Sequence, residues 1–255
     1  MSAPPGRPLA GRRVLVTRAP SQASSLSQEL RQLGASVVEI PAIAIQPVAA
    51  PEELRAAARW LREHRPPRWM AVTSANAVES LRALDLPEDL AGIRAAAVGE
   101  PTARALRGID VNVDLVAPGT GAGALAERLV AAGAGSGAVW LPQAETARAE
   151  LGERLRAAGA EVRSTPCYRT VPVTGLGRLL GPVLSDRVDA ITLLSPSAAE
   201  AVIAAVGAGT LRPLRVVCVG GTTEAALLRH GVTPVVAARG DAEGVAAAVA
   251  GAFRR

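Results

Sequence analysis

The sequence predicts an α/β protein made of two copies of one unit, each with a parallel β-sheet covered by helices on both faces. Two observations support this prediction. Short valine-rich segments alternate with alanine- and leucine-rich segments along the 255 residues, which is the pattern of parallel strands joined by crossover helices. In addition, residues 216–227 repeat the pattern of residues 95–106. A repeat of this kind indicates an internal duplication with a period of roughly 120 residues.

The repeat extends beyond these two segments. Each begins as a short apolar strand, then has a glycine and a threonine where a helix is expected to begin. Each glycine lies 25 residues after the serine of another strand-to-helix turn: Ser74 precedes Gly99, and Ser195 precedes Gly220. Residues 139–173 also repeat the leucines, glycine and prolines found near the start of the chain. The two copies therefore share their order of elements.

Each copy is expected to run strand, helix, strand, extended segment, helix, and then three further strands with helices between them. The first strand leads through Arg18-Ala-Pro20 into an amphipathic helix that ends at Gly34. Five strands per copy suggest a flavodoxin-like order, in which ligands bind beyond the carboxyl ends of the strands. The predicted strands are residues 14–17, 37–40, 69–73, 94–98, 113–116, 138–141, 161–164, 189–194, 215–219 and 233–236.

Composition argues against a membrane or exported protein. Hydrophobic residues make up 49% of the chain, but none of its apolar runs approaches the ~20 residues of a membrane span. The first eight residues do not resemble a signal peptide. Cys167 and Cys218 lie in apolar surroundings without metal-ligand spacing, which fits a reducing compartment. We therefore expect a soluble, cytoplasmic protein with no membrane partner.

The charged residues exclude several kinds of chemistry. All 28 basic residues are arginines, and the net charge is +5. The arginines are scattered among acidic residues along the chain. A solvated surface is favoured over an anion-binding one, and nothing indicates a nucleic-acid partner. Without lysine, Schiff-base catalysis is excluded. His64 and His230 are each expected in the last turn of a helix, so neither a metal site nor a Ser-His-Asp triad is predicted.

Six short motifs follow one another along the chain. They are Val16-Thr-Arg18, Thr73-Ser-Ala-Asn-Ala-Val78, Ala97-Val-Gly-Glu-Pro-Thr-Ala-Arg-Ala-Leu106, Thr165-Pro-Cys-Tyr-Arg-Thr-Val-Pro172, Leu194-Ser-Pro-Ser197 and Val219-Gly-Gly-Thr-Thr223. Together they resemble the uroporphyrinogen-III synthase family over about residues 12 to 250. No single motif is specific to that family, but their order and spacing are. The sequence departs from the family at Leu193-Leu-Ser-Pro-Ser197, where the aromatic-flanked version of the motif is common.

The resemblance implies two flavodoxin-like parallel-sheet domains joined by a two-stranded antiparallel β-ladder, with the active-site cleft between them. The ladder strands are then the proline-bracketed segments 40–48 and 164–173. Domain one comprises residues 1–39 plus 174–255, and domain two comprises residues 49–163. A single division near residue 135 is the alternative that the sequence leaves open.

The resemblance also implies a substrate and a reaction. The substrate is hydroxymethylbilane, a linear tetrapyrrole with eight carboxylates. It loses its hydroxyl group to give an azafulvene cation and closes with its terminal pyrrole inverted, whereas uncatalysed closure gives the non-inverted isomer. A 100-fold preference for one ring closure over the other needs only about 2.7 kcal/mol of differential transition-state stabilisation. We therefore expect no cofactor and no metal, and a monomer. Whether hydroxymethylbilane synthase hands over the substrate by transient contact stays open.

The substrate carboxylates are expected at the strand-to-helix turns. A helix N-terminus has free backbone N–H groups, and Ser and Thr hydroxyls there add donors. The candidate substrate-binding residues are Thr17, Arg18, Thr73, Ser74, Asn76, Gly99, Thr102, Arg148, Ser195, Ser197, Thr222 and Thr223. Ordinary helix N-caps are the alternative at Ser74, Thr102, Ser195 and Thr222, and surface roles are the alternative at the two arginines. The negative charge of Glu100 is expected to repel a substrate carboxylate bound beside Thr102, which argues against Thr102 as a binding residue.

Tyr168 is the candidate catalytic residue. It is the only tyrosine, it lies in a proposed ladder strand, and its partner in the repeat is Ile43. The resemblance places the family's functionally important tyrosine here, where a phenol has the chemistry of a weak general acid for the departing hydroxyl. A core-facing aromatic residue is the alternative.

Two other functions remain open at this level. One is a non-enzymatic two-domain protein that binds a small anionic ligand. The other is a nucleotide-dependent enzyme, although the sequence lacks the glycine fingerprint and the Walker loop of such proteins.

Overall fold

A computed structural model describes residues 7–82, 84, 86–118 and 122–254. The chain divides into two compact units, which we call unit 1 (Met1–Ala44 with Thr170–Arg255) and unit 2 (Ile45–Arg169). Each unit has its own sheet and its own apolar core. The described residues therefore form a mixed α/β protein with parallel sheets, as predicted.

Eleven strands are present among the described residues. They are β1 (Arg13–Val16), β2 (Ser36–Glu39), β3 (Ile43–Pro47), β4 (Arg68–Val72), β5 (Arg94–Val98), β6 (Leu115–Ala117), β7 (Ala138–Ala144), β8 (Glu161–Pro172), β9 (Ala190–Leu193), β10 (Arg215–Val219) and β11 (Val235–Ala237).

The same part of the chain contains twelve α-helices. They are α1 (Pro20–Gln32), α2 (Pro51–Glu63), α3 (Ala75–Leu81), α4 (Leu86–Asp89), α5 (Gly99–Arg107), α6 (Ala122–Ala131), α7 (Glu150–Ala157), α8 (Leu176–Ser185), α9 (Pro196–Val206), α10 (Ala208–Leu211), α11 (Gly220–Arg229) and α12 (Ala242–Gly251).

Unit 1 contains a five-stranded parallel sheet in the order β11-β10-β9-β1-β2. Successive side chains of a strand point to opposite faces, and both faces of this sheet are buried. Leu15 and Ile191 belong to the core on one face, whereas Val14 and Val217 belong to the core on the other. Burial on both faces explains why these strands are continuous apolar runs in the sequence.

Unit 2 is built in the same way around the order β8-β7-β4-β5-β6, with β3 added beside β8. Met70 and Trp140 belong to the core on one face, and Trp69 and Val139 belong to the core on the other. The pairs from β8 to β6 are parallel. Helix α3 follows β4 and helix α5 follows β5. Both helices therefore begin at the carboxyl end of the parallel sheet.

β3 and β8 form the antiparallel pair. Within unit 2, the Val48 N–H donates to the Cys167 carbonyl at 3.1 Å, and within unit 1 the Val173 N–H donates to the Ala42 carbonyl at 3.0 Å. Residue numbers therefore increase along one strand as they decrease along the other. The chain passes from one unit to the other within these two strands.

The ten predicted strands are present, and most of their ends lie within two residues of the prediction. The prediction was wrong where it separated the strand 161–164 from the extended segment 164–173, because β8 is one continuous strand. Its pairing with β7 continues past an irregularity at Gln143/Ala144 as far as Tyr168. No helix among the described residues is long and apolar enough to cross a membrane.

Both histidines lie at helix C-termini, as predicted. His64 is the C-cap of α2, and His230 is the C-cap of α11. The Nδ1 atom of His64 lies 2.6 Å from the Trp60 carbonyl oxygen, and Nε2 of His230 lies 2.8 Å from a carboxylate oxygen of Glu200. These contacts hold the imidazoles at the ends of their helices.

Candidate active site

The predicted strand-to-helix turns lie at the carboxyl ends of four strands. In unit 2, α3 follows β4 and α5 follows β5; in unit 1, α9 follows β9 and α11 follows β10. The carboxyl ends of neighbouring parallel strands meet at one edge of a sheet. Each unit therefore places two helix N-termini side by side, which confirms the predicted position of these turns.

Two of the turns are glycine turns with the same backbone. Gly99 has a φ of +71° and Gly220 has a φ of +72°, a left-handed conformation that glycine adopts without steric cost. Each glycine is the first residue of its helix, so the strand enters the helix without an intervening loop. Neither helix has a side-chain cap at its N-terminus. The alternative interpretation of Thr102 and Thr222 as N-caps is therefore wrong.

Three of the candidate binding threonines are buried. Thr102 and Thr223, which are equivalent in the repeat, are 4% and 2% exposed, because the fourth residue of each helix faces the core. Thr17 is 1% exposed, and its hydroxyl donates to the Thr192 carbonyl at 2.7 Å. These three threonines are therefore packed inside their units and do not lie on the surface. Thr222, in contrast, is exposed.

The other two turns are serine turns. Ser74 is the N-cap of α3 and accepts a hydrogen bond from the Asn76 N–H at 3.1 Å. Ser195 is the N-cap of α9 and accepts from the Ala198 N–H at 3.2 Å. The N-cap interpretation is thus confirmed for both serines. Ser74 makes a further contact that an ordinary cap does not need.

That further contact is with Tyr168. The phenol hydroxyl donates to the Ser74 Oγ at 3.2 Å. The Tyr168 ring belongs to the unit 2 core and is 7% exposed, so the core-facing interpretation of this residue is confirmed. Its polar tip nevertheless reaches the N-terminus of α3, at the carboxyl end of β4. Tyr168 is therefore a buried aromatic residue with a hydrogen-bonded hydroxyl at a helix N-terminus, and its catalytic role stays a prediction.

Burial raises the pKa of Tyr168 above its ordinary value. The side chains of Ser74 and Asn76 oppose that rise, because both carry donors that can turn toward the phenolate. Desolvation disfavours the charged phenolate, whereas a hydrogen bond to the phenolate favours it. Since burial is the larger effect, Tyr168 remains protonated at neutral pH. It is able to donate a proton but not to remove one.

The remaining candidate residues lie on or near the surface. Thr73 and Ser197 are exposed, and the Ser197 Oγ lies 3.2 Å from the Ser195 Oγ. Arg148 is exposed and precedes α7. Arg18 is half-buried before α1, and this burial lowers its pKa. No ion pair involves either arginine within the described parts of the chain.

The sequence interpretation missed the residues that hold Tyr168 in place. The Ser80 hydroxyl donates to the Cys167 carbonyl at 3.1 Å, and the Glu145 N–H donates to the Tyr168 carbonyl at 2.8 Å. Ser80 follows Asn76 by four residues, which places both on one face of α3, and this spacing was the only signal in the sequence. Within the described residues, no group of three or more His, Cys, Asp or Glu side chains is arranged to hold a metal ion.

Comparisons with known proteins agree with the motifs. The family model described as "Uroporphyrinogen-III synthase HemD" matches residues 24–247. The "Porphyrin biosynthesis protein HemD" of Ruminiclostridium josui is 28% identical over 238 residues, which are 91% of this chain and 46% of that protein. The "Uroporphyrinogen-III synthase" of Synechococcus elongatus is 31% identical over 174 residues, covering 64% of this chain and 62% of that protein. The chain thus spans about half to three fifths of the length of these two relatives.

A solved structure shows the same fold. The crystal structure of a mutant uroporphyrinogen III synthase from the extremely thermophilic bacterium Thermus thermophilus superimposes with a TM-score of 0.61 at 22% identity, covering 96% of this chain and 98% of that one. The fold, the motifs and the family match over most of the sequence lead to one conclusion: the chain belongs to the uroporphyrinogen-III synthase family.

Proposed function

We propose that this protein is a uroporphyrinogen-III synthase, which cyclises hydroxymethylbilane to uroporphyrinogen III with loss of water and inversion of the terminal pyrrole, in tetrapyrrole biosynthesis. Its membership of the family supports this proposal. The observation that ties it to particular atoms is the Tyr168 hydroxyl, which lies on the Ser74 N-cap at the carboxyl end of a unit 2 strand.

Tyr168 acts as the general acid in this proposal. The bond between the hydroxymethyl carbon and its oxygen breaks, the phenol gives its proton to the departing oxygen, and water leaves. The resulting azafulvene cation is attacked by the substituted α-carbon of the terminal pyrrole, whose bond to the neighbouring methylene carbon then breaks. That methylene carbon bonds to the unsubstituted α-carbon of the same pyrrole, which inverts the ring. The unsubstituted carbon loses its proton, which restores the neutral phenol. Burial keeps the phenol protonated at neutral pH, so the proton is in place for the leaving group, but the raised pKa makes Tyr168 a weak acid.

The turns bind the substrate carboxylates. Backbone N–H groups at the start of α5, α9 and α11 and the accessible side chains nearby supply donors without a metal or a cofactor. Among the candidate residues, those with solvent-accessible side chains are Arg18, Thr73, Ser74, Asn76, Arg148, Ser195, Ser197 and Thr222. Binding energy at these positions stabilises one of the two ring-closing transition states over the other. This selection needs only a small difference in free energy.

We also infer that the two units arose by duplication of one flavodoxin-like domain. The order β2-β1-β9-β10-β11 in unit 1 corresponds, strand for strand, to β8-β7-β4-β5-β6 in unit 2. Both orders follow the flavodoxin-like scheme 2-1-3-4-5 when the strands are numbered from β1 and β7. The glycine turns at Gly99 and Gly220 occupy equivalent places in the two orders.

The test is an assay of product isomers. Freshly generated hydroxymethylbilane is incubated with the protein in the presence of a metal chelator, and the uroporphyrin isomers are separated after oxidation. We expect a dominant type III product. A type I product formed at the spontaneous rate would overturn the proposal. In that case saturable binding of a polycarboxylate would favour the non-enzymatic binding protein that the sequence left open.

A further inference from the structure

Residues 167 and 168 are held against α3 and its N-cap by two polar side chains. The Ser74 Oγ accepts from the Tyr168 hydroxyl at 3.2 Å. The Ser80 hydroxyl donates to the Cys167 carbonyl at 3.1 Å. Ser74 is the N-cap of α3, and Ser80 lies near its last residue. One helix therefore contacts both the backbone before Tyr168 and the phenol at its end.

The hydrogen bond from Ser80 is not required to satisfy a buried backbone group. The Cys167 carbonyl already accepts the ladder hydrogen bond from the Val48 N–H at 3.1 Å. A carbonyl oxygen with one good donor is satisfied, and its second lone pair often remains unused. The Ser80 hydroxyl thus adds a connection between α3 and β8 that the ladder itself lacks.

At the equivalent place in unit 1, the described residues form no such connection. The residue that corresponds to Ser80 in the repeat is Ala201, which is buried in the unit 1 core, and the residue that corresponds to Tyr168 is Ile43. The serine is therefore found in the unit that contains the tyrosine. If it served only to pack a helix on a sheet, the alanine of unit 1 would serve equally well.

We propose that Ser80 is a positioning residue, which fixes the phenol of Tyr168 against the N-terminus of α3 through the Cys167 carbonyl. Ser80 does not touch the reacting atoms. This inference rests on the proposed function only for its kinetic consequence, since the geometry that it describes exists without substrate.

The structural consequence is measured on Tyr168 itself. Tyr168 is the only tyrosine in the chain, so the ultraviolet absorbance of tyrosinate during an alkaline titration reports this residue alone. Ser80→Ala releases the backbone before Tyr168 and lets water reach the phenol, so the pKa of Tyr168 is expected to fall toward its ordinary value of 10.0. Ser80→Thr keeps the hydroxyl and is expected to retain the wild-type titration.

The matched control is Ser136→Ala. It removes a hydroxyl of the same unit that also donates to a backbone carbonyl, that of Gly133, at 3.0 Å, away from Tyr168. This variant is expected to leave the tyrosinate titration unchanged. Should Ser80→Ala fail to fold, Ser80→Cys, which has a weaker donor, takes its place.

The kinetic consequence is measured with a double-mutant cycle. Ser80→Ala is expected to lower kcat on the order of tenfold, less than the ~100-fold that a 1 Å misplacement of a reacting group costs. In the background of Tyr168→Phe, the same change is expected to have no further effect on kcat, because there is no phenol proton left to position.

Two results would overturn the inference: an unchanged tyrosinate titration in folded Ser80→Ala, or an equal loss of kcat with and without the phenol. Its failure can be distinguished from failure of the proposed function. If the wild-type protein forms only the type I isomer, the proposed function fails, whereas the titration still decides whether Ser80 positions Tyr168.

Discussion

Ser74 and Ser195 occupy the same position in the two copies of the repeat, each as the N-cap of the helix that follows a buried strand. Their surroundings differ. Ser74 accepts a hydrogen bond from the hydroxyl of Tyr168, whereas the Ser195 Oγ lies beside the hydroxyl of its neighbour Ser197. Ile43 replaces the tyrosine in the repeat. The two copies share one backbone geometry at this turn, but only the turn of Ser74 is contacted by a phenol.

This difference separates two requirements of the proposed reaction. Binding of carboxylates needs backbone N–H groups and hydroxyls, which both units possess at their turns. Departure of a hydroxyl group needs a proton at one place only. Substitutions at equivalent positions of the two units therefore test whether binding is shared and proton donation is not.

The largest effect is expected for Tyr168→Phe. Loss of a positioned general acid typically costs at least about 100-fold in rate, so kcat should fall by that amount. The melting temperature should change little, because the ring stays in the core. Ile43→Val, the conservative change at the equivalent position, is the control and should leave kcat unchanged. Equal kinetics of Tyr168→Phe and wild type would remove Tyr168 from the mechanism.

The second effect concerns pH and is expected to be alike in both units. Burial raises the pKa of Cys167 in unit 2 and of Cys218 in unit 1 from 9.0 to about 11. The folded state keeps these protons where the unfolded state releases them, so the unfolding free energy should fall as pH rises from 9 through about 11. Each thiol contributes at most about 1.4 kcal/mol per pH unit.

Denaturant unfolding at a series of pH values checks this effect. Cys167→Ala and Cys218→Ala should each reduce the slope by a similar amount, whatever each costs in stability at neutral pH. Tyr168 adds to the slope only above pH 10, because burial raises its pKa as well. A slope that does not respond to either substitution would contradict the burial of these thiols in the folded state.

The third effect tests the glycine turns. Gly99→Ala and Gly220→Ala each place a side chain at a φ near +70°, which costs roughly 1–2 kcal/mol for an L-residue other than glycine. Calorimetric or denaturant unfolding should give similar losses for the two variants. A much larger loss at one of them would show that the two turns are not equivalent in strain.

The smallest effect is expected at the N-caps. Ser74→Ala and Ser195→Ala each remove a side-chain acceptor for a first-turn N–H, at a cost of about 1 kcal/mol in unfolding free energy. Ser74→Ala should additionally raise the pKa of Tyr168, because the Ser74 hydroxyl can turn to donate to the phenolate and thereby lowers that pKa. A tyrosinate titration distinguishes the two variants, and an unchanged titration in Ser74→Ala would argue against the hydrogen bond between the two hydroxyls.

The sequence by itself predicted the fold class, the position of ten strands and the four turns. These features follow from local patterns: apolar runs for strands buried on both faces, and a glycine or serine where a strand enters a helix. The family resemblance also came from local motifs, and it directed attention to Tyr168. Such signals lie within a few residues of each other and need no knowledge of what the chain pairs with.

Tertiary structure alone decided which of the candidate hydroxyls are accessible and which residues meet. Thr102 and Thr223 are buried because the fourth residue of each helix turns toward the sheet, and nothing in the local sequence separates them from the exposed Thr222. Tyr168 and Ser74 are 94 residues apart in the chain, and their hydroxyls meet because β8 is paired through β7 to β4. Hydrogen bonds between distant segments depend on strand order and register, which local composition does not specify.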